Sequence, residues 1–138
     1  MGVRRKAREF VLQALYSLEM TGDDPQEIKK FYIEEYKLRD KLLEFFEELF
    51  DKTVENMEYI DSIIKRHIAN WDFDRIAIID KNILRMGIAE FLYFDSIPYN
   101  VTIDEAVEIA KKYSTEKSGS FVNGVLDAIK TKEVLKNA

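Results

Sequence analysis

Cysteine is absent from the 138-residue chain, which excludes a disulfide scaffold, a thiolate nucleophile and any cysteine-ligated zinc or iron–sulfur site. A reducing, cytoplasmic setting is the expectation. Five glycines and two prolines are too few for the many tight turns of a sandwich or barrel, so long helical elements are favoured. No apolar run approaches the roughly 18 to 20 residues of a membrane span. Glu9 and Gln13 interrupt what could pass for a signal-peptide core, and the acids Glu9 and Glu19 argue against a transit presequence. Lys6 stands where a myristoylation signal needs Ser or Thr. His67 is the only histidine and no G-x-S-x-G elbow accompanies it, so a nucleophile relay lacks support and a place at the end of a helix is expected for it. Gly22, Gly87, Gly119 and Gly124 match neither dinucleotide nor P-loop spacing, and no EF-hand pattern is present. Catalytic residues, metal and cofactor are all expected to be absent.

What is present is one domain's worth of apolar material, 46% hydrophobic and 12% aromatic, enough for a single core. The net charge of −5 hides an asymmetry. Arg4, Arg5, Lys6 and Arg8 precede the first acid, leaving the body of the chain near −9. A polyanion is repelled by such a body and can dock at its basic tip.

Apolar spacing predicts a first helix over 3–20, with Ala7, Phe10, Val11, Ala14, Leu15 and Leu18 on one face. Gly22 stops it, and Asp24-Pro25-Gln26-Glu27 starts a second. Helical periodicity then runs from Leu42 to Ile68, as one long helix or as two broken at Asn56. Trp71 to Asp74 interrupts the pattern, and a helix resumes from Ile76 to Phe91. Thr102-Ile103-Asp104-Glu105 reads as another capping box, and a last helix follows Ser114–Ser120. The expected fold is all-α: six or seven antiparallel helices in one domain, with a basic arm at 1–8 and two subbundles over about 1–56 and 57–138.

Three features point beyond packing. On helix 1, Arg5, Glu9, Leu12 and Tyr16 share the side opposite the core stripe, so Leu12 and Tyr16 are expected to be exposed unless a partner covers them. At the start of the last helix, Lys117-Ser118-Gly119-Ser120-Phe121 combines free N–H groups, hydroxyls and a lysine, a natural anion site, with Ser118 as the expected N-cap. Gly124, after Asn123, costs about 1 kcal/mol in a helix and implies a close neighbour. If that neighbour is helix 1, arm and lysine share one surface.

These residues bring a known family into view. Arg4-Arg5-Lys6-Ala7-Arg8-Glu9 running into Gln13-Ala14-Leu15-Tyr16, then Ile83-Leu84-Arg85 with Glu90, Pro98-Tyr99, Ile103 to Lys111 and Phe121-Val122-Asn123-Gly124-Val125-Leu126-Asp127 occur in an order that resembles the bacterial transcription antitermination NusB family. The resemblance covers nearly the whole chain. It implies a NusB-like helical bundle without enzymatic activity that pairs with the ribosomal protein NusE. The pair would bind single-stranded boxA RNA in ribosomal RNA leader transcripts and help RNA polymerase pass terminators. It also implies RNA-binding roles for Arg4, Arg5, Lys6, Arg8, Lys117, Ser118, Phe121 and Asn123, and protein-partner roles for Leu12, Tyr16 and Asp80. Lys117 departs from the family, since some relatives carry an acid there, and a cation implies tighter RNA binding. The fold is also similar to an accessory domain of ribosomal RNA methyltransferases, but 138 residues favour a factor without a catalytic domain. The competing reading is a helical protein-interaction module with no nucleic acid. An exposed Leu12–Tyr16 stripe could also serve a homodimer.

Overall fold

The computed structural model describes residues 2–68 and 72–135, so Trp71, one of the residues taken to interrupt the helical pattern, lies outside the described residues. Among the described residues there are seven α-helices and no strand. They are α1 (Val3–Thr21), α2 (Pro25–Glu35), α3 (Asp40–Glu55), α4 (Met57–Arg66), α5 (Ile78–Tyr93), α6 (Tyr99–Tyr113) and α7 (Glu116–Ile129). A 3₁₀ turn, Phe73–Arg75, precedes α5, and a π-helical turn, Lys130–Leu135, follows α7.

Local chemistry sets most of the helix ends. Gly22 adopts φ +72° and its N–H closes α1 on Leu18 O at 2.9 Å, while Asp24 caps α2 by accepting from Gln26 N at 2.8 Å. The long periodic stretch is two helices, and the break falls at Asn56. Asn56 does not cap α4, however. Its Nδ2 donates to Lys52 O at 2.8 Å and so closes α3.

Two helix starts differ from expectation. Helix α6 begins at Tyr99 with Pro98 at its N-cap, because proline's fixed φ already suits a helix entry. Thr102 is therefore inside the helix and buried, its hydroxyl donating to Glu90 Oε1 at 2.9 Å. Helix α7 begins at Glu116, since Thr115 rather than Ser118 supplies the cap: Thr115 Oγ1 accepts from Ser118 N at 3.0 Å.

Helix α5 is the axle of the molecule, packed by α1, α3, α4, α6 and α7 and buried on every side from Asp80 to Phe91. Phe46, Phe50, Ile60, Ile109 and Leu126 are among the fully enclosed side chains around it, with its own Ile83 and Ile88 enclosed too. Close helix approach occurs at Gly87, where a Cβ would lie 3.0 Å from Leu126 Cδ1. Gly124, in contrast, has nothing within 4 Å of its Cβ position, so the expected contact with helix 1 does not exist.

Because α5 is buried all round, its charged residues must be paired. Arg85 bonds Asp61 through two contacts, of 2.7 and 2.8 Å, and reaches Glu19 at 2.8 Å; Lys81 pairs with the same Glu19 at 2.7 Å.

The π-helical turn is held against the end of α4 by one carboxylate. Glu133 accepts from Arg66 at 2.9 and 3.0 Å and lies 2.7 Å from His67 Nε2. The Arg66 hydrogen bonds, then His67, hold its pKa at about 2, below its usual 4.5. A carboxylate depressed in the folded state contributes its stability in full above its unfolded pKa and loses it as pH falls through the folded value. Residues 130–135 should therefore loosen between about pH 4.5 and 2, while Glu133→Gln should leave them loose at neutral pH. Amide hydrogen exchange across pH reads this; unchanged protection in Glu133→Gln would contradict it.

Candidate nucleic-acid interface

The basic arm is not an extended tip, since α1 is helical from Val3 and its four cations therefore point in different directions. Arg4 and Lys6 are exposed, Arg4 lying 5.3 Å over the Phe45 ring and Lys6 5.3 Å over Phe10. Arg5 is half-buried and bonds Glu105 through Nε at 2.7 Å. Arg8, expected with the others on the RNA side, is only 3% exposed. Its Nε and Nη2 grip Glu90 at 2.7 and 2.8 Å. The reason is helical spacing: Arg8 lies one turn beyond Arg4, where α1 has already entered the contact with α5 and α6.

The outer face of α1 is likewise covered. Leu12 is 3% exposed and Glu9 2%, because α6 packs across them. Glu9 Oε1 accepts from Lys112 Nζ at 2.9 Å and Tyr113 OH at 2.8 Å. Burial pushes the Glu9 carboxyl up, but these two hydrogen bonds together with the Lys112 and Lys6 charges outweigh it and hold the pKa below the usual carboxylate value. Of the expected stripe only Tyr16 remains exposed, at the rim of a cleft of about 230 Å³ that Leu12, Ile79 and Tyr113 also line.

Asp80, expected on an open partner face, is also buried; its Oδ2 accepts from Ser118 Oγ at 2.9 Å. This bond joins the first turn of α5 to the first turn of α7, so Asp80 belongs with Lys117, Ser118 and Phe121. Those residues, with Arg75, Ile76 and Ala77, line a groove of about 300 Å³. Lys117 and Asn123 are exposed, Phe121 is half-buried and Ser118 is buried.

The arm and this groove do not adjoin. Arg4 shares a cleft with Phe94 and Asp95 beyond the end of α5, whereas the groove opens at its start, roughly 20 Å away at 1.5 Å per helical residue. Two further exposed lysines belong to the surface near Arg5, and the sequence reading missed both. Lys111 and Lys112 are exposed on the last turn of α6. The bond to Glu9 raises the Lys112 pKa, with Arg5 close enough to oppose it. A Cβ on Gly119 would lie 3.0 Å from Lys111 Cγ, so the missing side chain lets Lys111 lie across α7. Arg5, Lys112 and Lys111 thus lie near one another, whereas Lys117, two residues from Gly119, is on another side of α7, by the groove. The adjacent Lys111-Lys112 pair at a helix C-terminus was the available signal, obscured by its ordinary role of meeting the helix dipole.

Among the described residues no group of three His, Cys, Asp or Glu side chains is placed to hold a metal ion, and no helix is long and apolar enough to cross a membrane. A sequence model of the NusB family matches residues 5–131. The chain belongs to the NusB family. It is 45% identical over 144 residues to the transcription antitermination protein NusB of Thermodesulfovibrio yellowstonii, covering 97% of this chain and 95% of that protein. The NusB of Chloroherpeton thalassium is 44% identical over 137 residues, or 96% of this chain and 65% of that longer protein. A crystal structure of the antitermination factors NusB and NusE in complex with double-stranded RNA contains a chain of the same fold, with TM-score 0.86 and 36% identity over 95% of this chain and 98% of that one. The relatives' name describes a role in transcription and no catalysed reaction.

Proposed function

We propose that the protein is a non-catalytic transcription antitermination factor that binds single-stranded boxA RNA of ribosomal RNA leader transcripts together with ribosomal protein NusE, within an RNA polymerase antitermination complex. The observation that carries this reading is the likeness to a NusB held with NusE and RNA. The half-buried Arg5 and the exposed Lys111, Lys112 and Lys117 support it, because they offer cations to phosphates. Phe121 and Asn123, on α7, offer a ring and an amide to unpaired bases. We assign Arg4 and Lys6 to outer phosphate contacts and Ser118 to holding the groove, and give Arg8 a role in the fold. The cleft under Tyr16 is the assigned NusE contact, an apolar rim site of the kind that anchors interfaces.

A mobility-shift titration with boxA RNA, as a single strand and as a duplex, with and without NusE, tests the reading. Single-strand binding that tightens with NusE is expected. No shift in any lane would defeat it and leave the interaction-module reading, and a duplex preference would overturn the single-strand assignment.

A further inference from the structure

Arg5 is held by a carboxylate to which the RNA-binding reading gives no role. Its Nε and Nη2 both donate to Glu105 Oε2, Nε at 2.7 Å, so one edge of the guanidinium is taken. A guanidinium is a rigid planar fork with five N–H donors. The end edge, formed by Nη1 and the second proton of Nη2, is left over. Nη1 makes no hydrogen bond among the described residues and is open to solvent, in a side chain 31% exposed. Two parallel donors of this kind match the oxygens of a phosphate.

Glu105 is itself held in place. Its side chain is 20% exposed, less than that of Arg5, and its other oxygen, Oε1, lies 3.5 Å from Arg8 Nη1. Arg8 is fixed to Glu90, which also accepts from Thr102, one helical turn before Glu105 on α6. The carboxylate is thus braced between two guanidiniums. Glu9 and Glu108 are the other acids that face Arg5, and each has its own cation: Lys112 lies 2.9 Å from Glu9 and Lys111 3.8 Å from Glu108. Because these charges balance, what Arg5 offers a phosphate is direction more than surplus charge. A long side chain that must be ordered on binding loses rotamer freedom, and one already held in the free protein avoids that loss.

Resting on the RNA-binding reading above, we propose that Glu105 is a positioning residue for RNA binding: it fixes Arg5 by the Nε–Nη2 edge, so that the Nη1–Nη2 edge meets a backbone phosphate. Glu105 acts through Arg5 and does not touch the RNA.

The test compares variants of equal charge in titrations of the intact protein with single-stranded boxA RNA at fixed salt. Glu105→Gln and Glu105→Ala lose the same charge, but only the first keeps an oxygen within reach of Arg5. Glu105→Ala should bind at least about threefold more weakly than Glu105→Gln, within the range for ordering one long side chain at an interface. In an Arg5→Ala background the two should bind alike, whereas a merely structural role would leave their difference in place. Glu105→Asp keeps the charge on a side chain one methylene shorter and should fall at least about threefold below the wild-type protein. Equal affinities of Glu105→Gln and Glu105→Ala, or a difference that persists without Arg5, would overturn the proposal. Should Glu105→Ala not fold, wild-type affinity in Glu105→Asp would overturn it instead. If the wild-type protein binds no RNA with or without NusE, the functional reading fails as well. If it binds and these comparisons come out level, only the role of Glu105 fails.

Discussion

Arg8→Ala should lower the stability of the protein by about 3–5 kcal/mol, the usual cost of removing one partner from a buried ion pair. The guanidinium and the Glu90 carboxylate are 3% and 2% exposed, and two near-parallel bonds join them. Glu90 Oε1 also accepts from Thr102, so the pair ties α1 to α5 and α6 together. Without Arg8, Glu90 remains a charge in an apolar interior with one hydroxyl for company. Urea unfolding should show a much lower midpoint at unchanged slope, whereas Arg4→Ala, at an exposed cation, should stay within about 0.5 kcal/mol of the parent. A variant in which Arg8→Met and Glu90→Leu are combined should recover much of the loss, because apolar groups of similar size avoid the desolvation penalty. If Arg8→Ala unfolds like the parent yet loses RNA affinity, Arg8 faces RNA and the assignment to the fold is wrong.

Reversing two exposed charges, Lys111→Glu with Lys117→Glu, should weaken RNA binding by roughly 2 kcal/mol or more, because like charges brought together at an interface cost several kcal/mol. It should also flatten the dependence of log affinity on log salt. Each phosphate contact on a single strand contributes a slope of about −0.7, so losing two should remove about 1.4. Folding should be nearly untouched. Both lysines are exposed; an acid suits the first turn of α7, and the opposite, small effect applies at the last turn of α6. Lys111 lies 3.8 and 4.0 Å from Glu108 and Glu116, contacts too loose and open to matter for stability. RNA titrations over a salt series, with a melting curve on the same sample, decide the outcome. An unchanged slope would put the RNA path off α6 and α7.

The all-helical class, the stop at Gly22 and the cap at Asp24 were legible in the sequence because each is a local property of a few neighbouring residues, whereas the periodicity left one helix or two open around Asn56, whose side chain closes α3 and does not cap α4. Family membership was legible for a related reason, since ordered motifs such as Phe121 to Asp127 survive as linear text. Which side of a helix is free was not. A helical wheel gives Leu12, Glu9 and Arg8 an angle, but only the packing of α6 and α5 against α1 decides that all three are buried. The wheel assumes one covered face, whereas α1 is covered by several helices. Asp80 is the same case: residue spacing places it on α5, and only the meeting of α5 with α7 pairs it with Ser118, 38 positions away. Tertiary structure likewise separated Arg4 from the α7 groove along the length of α5 and brought Lys112 near Arg5. Period and capping act within a few residues and can be read from sequence. Burial and charge pairing act across gaps such as the 82 residues between Arg8 and Glu90, and exist only once the helices have packed.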